Sequence, residues 1–145
     1  MNDKYIVYFI SKTKKKMLNY IQKQLKEKDL DDLVPSYGNI LTVLYDNGGK
    51  LSMKEIGELI GKDKSTVTPL VNKLLRLGYI NKEKCKEDRR VTYVKITNKG
   101  KEIENKFNDI SKEVYSTAYK GFSVEEKELL LKLLKKLNNN FDEDR

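Results

Sequence analysis

The sequence predicts a mainly α-helical fold with one small β-hairpin. Apolar residues recur every three or four positions through most of the chain, two capping boxes mark helix starts, and two short alternating stretches flank a charged tip. A spacing of three or four residues places apolar side chains on one face of a helix, whereas strict alternation of apolar and polar residues is typical of a half-buried strand. The length of 145 residues suggests one domain or one compact fold in two parts.

The first half of the chain predicts three helices and a short strand. Residues 4–28 keep helical spacing, and Pro35 suits the first turn of the next helix because its missing N–H is not needed there. A glycine pair ends that helix, and residues 50–51 form the short strand. A capping box at residues 52–55 then starts a third helix, which Gly61 ends.

The fourth helix starts near Asp63 or Ser65 and ends before Gly78, which is well placed as a C-terminal cap. It contains Pro69, which removes one hydrogen bond of the helix. We therefore expect a late helix start or a mild kink. The apolar residues that we expect to face inward are Val67, Leu70, Val71, Leu74 and Leu77.

Residues 79–96 predict a β-hairpin whose tip, residues 85–90, is polar and highly charged. Thr97 or Asn98 then caps one long helix. A second capping box, at residues 123–126, starts the last helix. The order helix, helix, helix, hairpin across the middle of the chain is the winged helix-turn-helix arrangement.

The excess positive charge lies in the same part of the chain. The net charge is +8, and residues 50–101 contain fourteen basic and six acidic residues, which is the whole excess. A lysine-rich composition without function would spread this charge more evenly. Its concentration favours a polyanionic partner.

Several functional classes are excluded by composition. The chain has no histidine, which removes His-based metal sites and histidine-dependent nucleophiles, and its only cysteine, Cys85, cannot form an internal disulfide. We expect no enzymatic activity, no cofactor and no metal. No stretch approaches the length of a membrane span and no signal peptide is recognisable, so we expect a cytoplasmic protein without membrane contact.

The outward face of the fourth helix supplies the first candidate binding residues. Hydroxyls near its start permit close approach to DNA, asparagine can pair with adenine, and lysine or arginine can reach guanine or phosphate. The alternative is a solvated face whose hydroxyls serve capping. The candidate residues are Ser65, Thr66, Thr68, Pro69, Asn72, Lys73 and Arg76.

The hairpin tip supplies the second set, Lys86, Arg89 and Arg90, close to further lysines at positions 82 and 84. A narrow minor groove has a strongly negative potential that attracts arginine. Asp88 is expected to pair with a nearby arginine and hold the tip in shape, and its alternative role is that of a turn residue.

These segments together resemble the MarR family of bacterial and archaeal regulators. The matching segments are residues 49–61, 63–74 and 78–80, followed by Asp88-Arg-Arg90 and Ile96-Thr-Asn-Lys-Gly100. The resemblance implies a triangular homodimer, with Arg90 as the minor-groove arginine of the wing and Asp88 as its structural companion. Family members usually repress genes, and often lose DNA on binding a small, frequently aromatic, anion or on cysteine oxidation.

One departure concerns redox sensing. The Thr68-Pro69-Leu70 pattern resembles redox-sensing branches of the family, which carry their sensing cysteine in the first helix, and this chain has no cysteine there. We interpret Cys85 as structural or incidental rather than as a sensor.

The expected organisation is a winged helix-turn-helix lobe at residues 35–97, flanked by dimerisation helices at residues 1–34 and 98–145. A monomer would leave the apolar faces of the flanking helices exposed, so a second copy is the expected cover. The expected partners are double-stranded DNA with a pseudo-palindromic operator, a second copy, and a small aromatic or anionic effector whose site the sequence does not indicate.

The expected function is sequence-specific DNA binding by a transcriptional regulator, a repressor that an effector releases from its operator. The main alternative is a winged-helix module for protein contacts or RNA, without an operator. An enzyme is a third possibility, since aromatic residues of the first helix could line a pocket, but no catalytic set accompanies them.

Overall fold

A computed structural model describes residues 2–142. The chain forms two units, the first ending at Ile110 and the second beginning at Ser111. After a 3-10 turn at Asp3–Tyr5, the first unit contains α1 (Ile6–Glu27), α2 (Pro35–Asp46), β1 (Lys50–Ser52), α3 (Met53–Ile60), α4 (Lys64–Leu77), β2 (Ile80–Lys84), β3 (Thr92–Ile96) and α5 (Asn98–Glu102). Helix α6 (Glu104–Ala118) starts in the first unit and ends in the second, which also contains α7 (Val124–Asn139).

The predicted hairpin is present, and it belongs to a three-stranded antiparallel sheet in the order β1-β3-β2. On the central strand, Val94 lies opposite Leu51 of β1 and Lys82 of β2. The first strand is therefore paired with a segment about forty residues further along the chain. Local sequence pattern predicts each strand, but it does not reveal this pairing.

Both predicted capping boxes are confirmed. The backbone N–H of Glu55 donates to Ser52 Oγ over 3.0 Å, and the N–H of Ser52 donates to a Glu55 carboxylate oxygen over 2.9 Å. The backbone N–H of Ser52, followed by its hydroxyl, lowers the pKa of Glu55. Ser123 and Glu126 form the same arrangement at the start of α7.

The core of the first unit lies between α2, α3, α4 and the sheet. Leu44, Ile56 and Val94 have no exposed surface, and each comes from a different element. Within α4, Val67, Val71 and Leu74 are buried as predicted, whereas Leu70 and Leu77 lie at the edge of that face and are only half-buried. Helix α4 is thus fixed by its inner face.

Of the two expectations for Pro69, the late start of α4 is wrong, because the helix begins at Lys64 and runs to Leu77, and the mild kink stays a prediction. Asp63 caps it, since its carboxylate accepts the N–H of Thr66 over 2.9 Å. Pro69 therefore falls beyond the first turn, inside the helix, where it removes one hydrogen bond without ending the helix.

The expectation of one long helix after the hairpin is also wrong. Thr97 caps the short α5, and a turn at Ile103 separates α5 from α6. The start of α5 is held against the end of α4, because the Thr97 hydroxyl donates to the carbonyl of Gly78 over 2.7 Å. Ile103 and Phe107 are both buried, so the apolar spacing continues across the break and conceals it in the sequence.

Within residues 2–142, none of the helices combines the length and the apolar character that a membrane crossing requires.

Candidate nucleic-acid interface

The turn between α3 and α4 fixes the angle at which α4 leaves the lobe. Gly61 adopts a left-handed conformation with φ of 69°, which glycine accepts without steric cost. The carbonyl of Gly57 accepts the N–H of Lys62 over 3.0 Å, and a Cβ atom at position 57 would lie only 2.9 Å from the carbonyl oxygen of Lys62. Glycine at position 57 therefore permits the tight turn of a helix-turn-helix.

The face of α4 opposite its buried residues carries the candidates from the sequence. Ser65, Pro69 and Arg76 are exposed along the middle of this face. The half-buried Thr68 and Asn72 lie on one side of that line. Thr66, which is exposed, and Lys73, which is half-buried, occupy the other side, so the structure brings all seven candidates to one continuous surface.

The start of α4 is occupied by its own cap. The Ser65 hydroxyl donates to the Asp63 carboxylate over 2.8 Å, and this bond, with those from Thr66, lowers the pKa of Asp63. The capping role that was the alternative for these hydroxyls is thus present at Ser65. The cap keeps the carboxylate ionised and directs the Ser65 proton toward it.

Asn72 has a partner that sequence reasoning did not identify. The ammonium group of Lys82, on β2, donates to the amide oxygen of Asn72 over 2.8 Å. The sequence shows Lys82 as one of several lysines near the tip, and its pairing depends on how β2 follows α4 in space. A side-chain contact thereby joins the outward face of the helix to the hairpin.

The hairpin tip is held by local bonds. The Asp88 carboxylate accepts the backbone N–H of Arg90 over 3.0 Å and two guanidinium N–H groups over 3.0 and 3.1 Å. The carbonyl of Asp88 also accepts the N–H of Val91, and the Cys85 N–H donates to the carbonyl of Val91. The expected pairing of Asp88 is present, and its partner is Arg90, the arginine assigned to the tip.

This ion pair lies in solvent. The side chain of Arg90 is 90% exposed and that of Asp88 is 38% exposed. The Arg90 guanidinium lowers the pKa of Asp88, and the carboxylate raises the pKa of Arg90. Exposed ion pairs of this kind contribute little to stability, so Arg90 can exchange this partner for another anion at low cost. Lys86 and Arg89 are exposed on the same tip.

The strands of the sheet are joined near the hairpin tip by a second ion pair. Lys50 of β1 lies 2.8 Å from the carboxylate of Glu83 on β2, and its ammonium group lies 4.6 Å from the centre of the Tyr93 ring on β3. The hydrogen bond from Lys50 lowers the pKa of Glu83. The two outer strands are thereby linked across the central strand, directly below the tip.

An open groove of about 670 Å³ separates α3 and the start of α4 from the arm of the hairpin. Its lining includes the apolar residues Met53, Val67 and Val91 and the cations Lys54 and Arg90. The basic tip and the basic turn of the helix-turn-helix therefore border one depression.

A family model described as the MarR family matches residues 31–91, which contain α2 to α4, the strand β2 and the hairpin tip. The chain is 31% identical to the HTH-type transcriptional regulator SarZ of Staphylococcus haemolyticus over 140 residues, covering 95% of this chain and 88% of that protein.

Solved structures share the fold. The PcaV transcriptional regulator from Streptomyces coelicolor, solved in complex with its natural ligand, superposes with a TM-score of 0.84 at 15% identity, over 95% of this chain and 94% of that chain. A mutant MarR from E. coli complexed with operator DNA superposes with a TM-score of 0.79 at 18% identity, over 91% of this chain and 92% of that one.

Proposed function

The chain belongs to the MarR family of non-enzymatic, DNA-binding transcriptional regulators, and on that premise we propose that it is a homodimeric repressor with a pseudo-palindromic operator. The observation that carries the proposal is the continuous surface of α4 together with the basic tip. Both lie in the segment that contains the whole excess of positive charge. Positive charge on one surface is the footprint of a phosphate-backbone partner.

In this proposal α4 enters the major groove. Its outward line of Ser65, Pro69 and Arg76 faces the bases, and Lys73 reaches the flanking phosphates. Pro69 and the hydroxyl residues are small, so the helix can lie deep in the groove. Arg76 follows near the end of α4, where its long side chain can reach guanine or phosphate.

The tip then reaches the adjacent minor groove with Arg90. The free protein holds the Arg90 guanidinium on Asp88, which keeps the charge extended in solvent until DNA offers a stronger anion. Lys86 and Arg89 contact phosphates beside the groove. Asp88 supports the tip through its backbone contacts, since it still accepts the N–H of Arg90 when the guanidinium leaves.

The dimer is supported by apolar side chains that each unit leaves uncovered. In the first unit, α1 exposes Tyr8, Phe9 and Ile10, and in the second unit α7 exposes Leu133 and Leu134. Several large apolar side chains exposed on one helix mark an interaction site. We propose that residues 1–34 and 98–145 pair with a second copy, which presents two copies of α4 to half-sites about one helical turn apart.

The proposed release mechanism needs an effector that binds the free dimer more tightly than the DNA-bound dimer. The PcaV structure with its natural ligand supports a small-molecule effector in this fold. We propose a small aromatic or anionic compound, without assigning its contact residues. Because the proposed partner is chromosomal DNA, we expect the protein to act in the cytoplasm.

The test is selection of bound sequences from a randomised pool of duplex DNA, with purified full-length protein. We expect enrichment of an inverted repeat, and an affinity that falls steeply with salt because each neutralised phosphate releases counterions. The same binding assay, repeated with aromatic carboxylic acids and with oxidant, tests release. A pool without enriched sequences, or tighter binding to single-stranded RNA, would contradict the proposal.

A further inference from the structure

The contact between Asn72 and Lys82 fixes which end of the amide faces outward. Asn72 lies on the outer part of α4, and the Lys82 ammonium group lies 2.8 Å from its amide oxygen. An ammonium group has three donors and no acceptor, so the amide atom beside it is the oxygen. The amide NH₂ is the end of Asn72 that remains for a ligand.

This orientation changes what the residue can read. Asparagine pairs with adenine when its oxygen accepts from the adenine amino group and its NH₂ donates to N7. The Asn72 oxygen keeps a second lone pair, but an amino group that reached it would lie beside the positive charge of Lys82. The pair Asn72 and Lys82 therefore presents donors, which match the two acceptors, O6 and N7, on the major-groove edge of guanine.

We propose that Lys82 is a positioning residue that directs Asn72 toward guanine and against adenine at one position of each half-site. The inference rests on the proposed function and deepens it, because it assigns a base to a residue of α4 and a specificity role to a residue of β2. Removing the ammonium group would free the oxygen of Asn72 and restore the adenine pairing. Lys82 thereby sets a preference that α4 alone would not have.

The experiment uses full-length wild type and three variants, Lys82→Met, Lys82→Arg and Asn72→Ala, in the selection described above. The position read by Asn72 is the one at which Asn72→Ala abolishes base preference. Four duplexes that differ only at that base pair are then compared by competition binding. Methionine keeps the apolar stem of the side chain without a donor, and arginine keeps a charged donor.

We expect wild type and Lys82→Arg to favour guanine over adenine at that position, on the order of five- to a hundredfold, the range of one good bidentate contact. Lys82→Met is expected to shift the preference toward adenine by about tenfold or more. A lysine that only contacts phosphate would instead change all four affinities equally.

The proposal is overturned if wild type prefers adenine at the position read by Asn72, or if Lys82→Met weakens binding to all four duplexes alike. It is also overturned if Asn72→Ala abolishes base preference at no position of the operator. Each of these results requires an enriched operator, and therefore leaves the proposed function standing. Failure of wild type to enrich any sequence overturns the proposed function and this inference together.

Discussion

Helix α4 and the hairpin tip both contribute to the proposed DNA-binding surface, but they are held in different ways. The inner face of α4 contributes Val67, Val71 and Leu74 to the core, each with at most 1% exposure. The tip has no comparable apolar anchor, because its side chains are exposed or half-buried and its shape comes from bonds around Asp88. Helix α4 is therefore held by packing against the core, whereas the tip is held by hydrogen bonds between its own neighbouring residues.

The comparison separates stability from binding. A change to the inner face of α4 disturbs packed side chains, so its main effect falls on the free energy of unfolding. A change to the tip removes an exposed charge, so its main effect falls on affinity for DNA and leaves the fold intact. Neighbouring residues on each element allow this separation to be measured.

The largest expected effect is on stability, in Leu74→Ala. Leu74 has no exposed surface, so the substitution leaves a cavity and is expected to lower the free energy of unfolding by about 2–5 kcal/mol. The matched control is Leu75→Ala on the exposed side of the same turn, where Leu75 is 36% exposed and a smaller loss is expected. Urea unfolding followed by circular dichroism measures both. Equal losses would mean that the inner face does not hold α4.

The second prediction concerns the tip. Arg90→Ala is expected to weaken operator binding by roughly tenfold, because a charged contact in the minor groove is lost, with little change in urea unfolding. Arg89→Ala is the matched control, since it removes the same charge from the neighbouring exposed residue. That control should lower affinity less, and equally for all sequences. If Arg90→Ala and Arg89→Ala bind the operator with equal affinity, the assignment of Arg90 to the minor groove is contradicted.

Asp88→Ala tests whether the ion pair supports the tip or competes with DNA. If the aspartate mainly orders the tip, its removal weakens binding a few-fold in wild type and also weakens it in the Arg90→Ala background, where the backbone N–H of residue 90 is still present. This is the expected result, because Asp88 also accepts the N–H of Arg90. Tighter binding by Asp88→Ala would show instead that the carboxylate holds the arginine away from DNA.

The same difference between the regions decides what the sequence could predict. The capping boxes at Ser52 and Ser123 and the pairing of Asp88 with an arginine involve residues two or three positions apart, so local pattern revealed them. The pairing of β1 with β3 and the bond from Lys82 to Asn72 join residues that only the folded chain brings together. Apolar spacing likewise continues through Ile103, where the helix breaks.

Pro69 shows a local rule outweighed by its neighbours. Taken alone, a proline predicts a helix that starts late or bends mildly. The cap at Asp63 and the buried side chains of Val67 and Val71 stabilise helical backbone on both sides of the proline, and together they outweigh its cost to the helix. The competition between a local and a tertiary effect could not be weighed from the sequence.

The smallest expected effect lies at Asp63, where α4 itself depends on a local and exposed contact. Hydrogen bonds from Ser65 and Thr66 lower the pKa of Asp63, so the folded state favours the ionised carboxylate. Its stabilising contribution is therefore complete above the ordinary aspartate pKa of about 4, and is lost as the pH falls through the lower pKa of the folded protein.

Asp63→Asn is the informative variant, because asparagine also caps helices but does not titrate. The melting temperature of wild type relative to Asp63→Asn should fall as the pH is lowered from 5 to about 2.5, with a smaller shift than that caused by Leu74→Ala. Taking the difference between the two proteins cancels the titration of Glu55 and Asp88, whose pKa values are also lowered. A difference that stays constant over this range would mean that the carboxylate charge adds nothing beyond the hydrogen bonds of the cap.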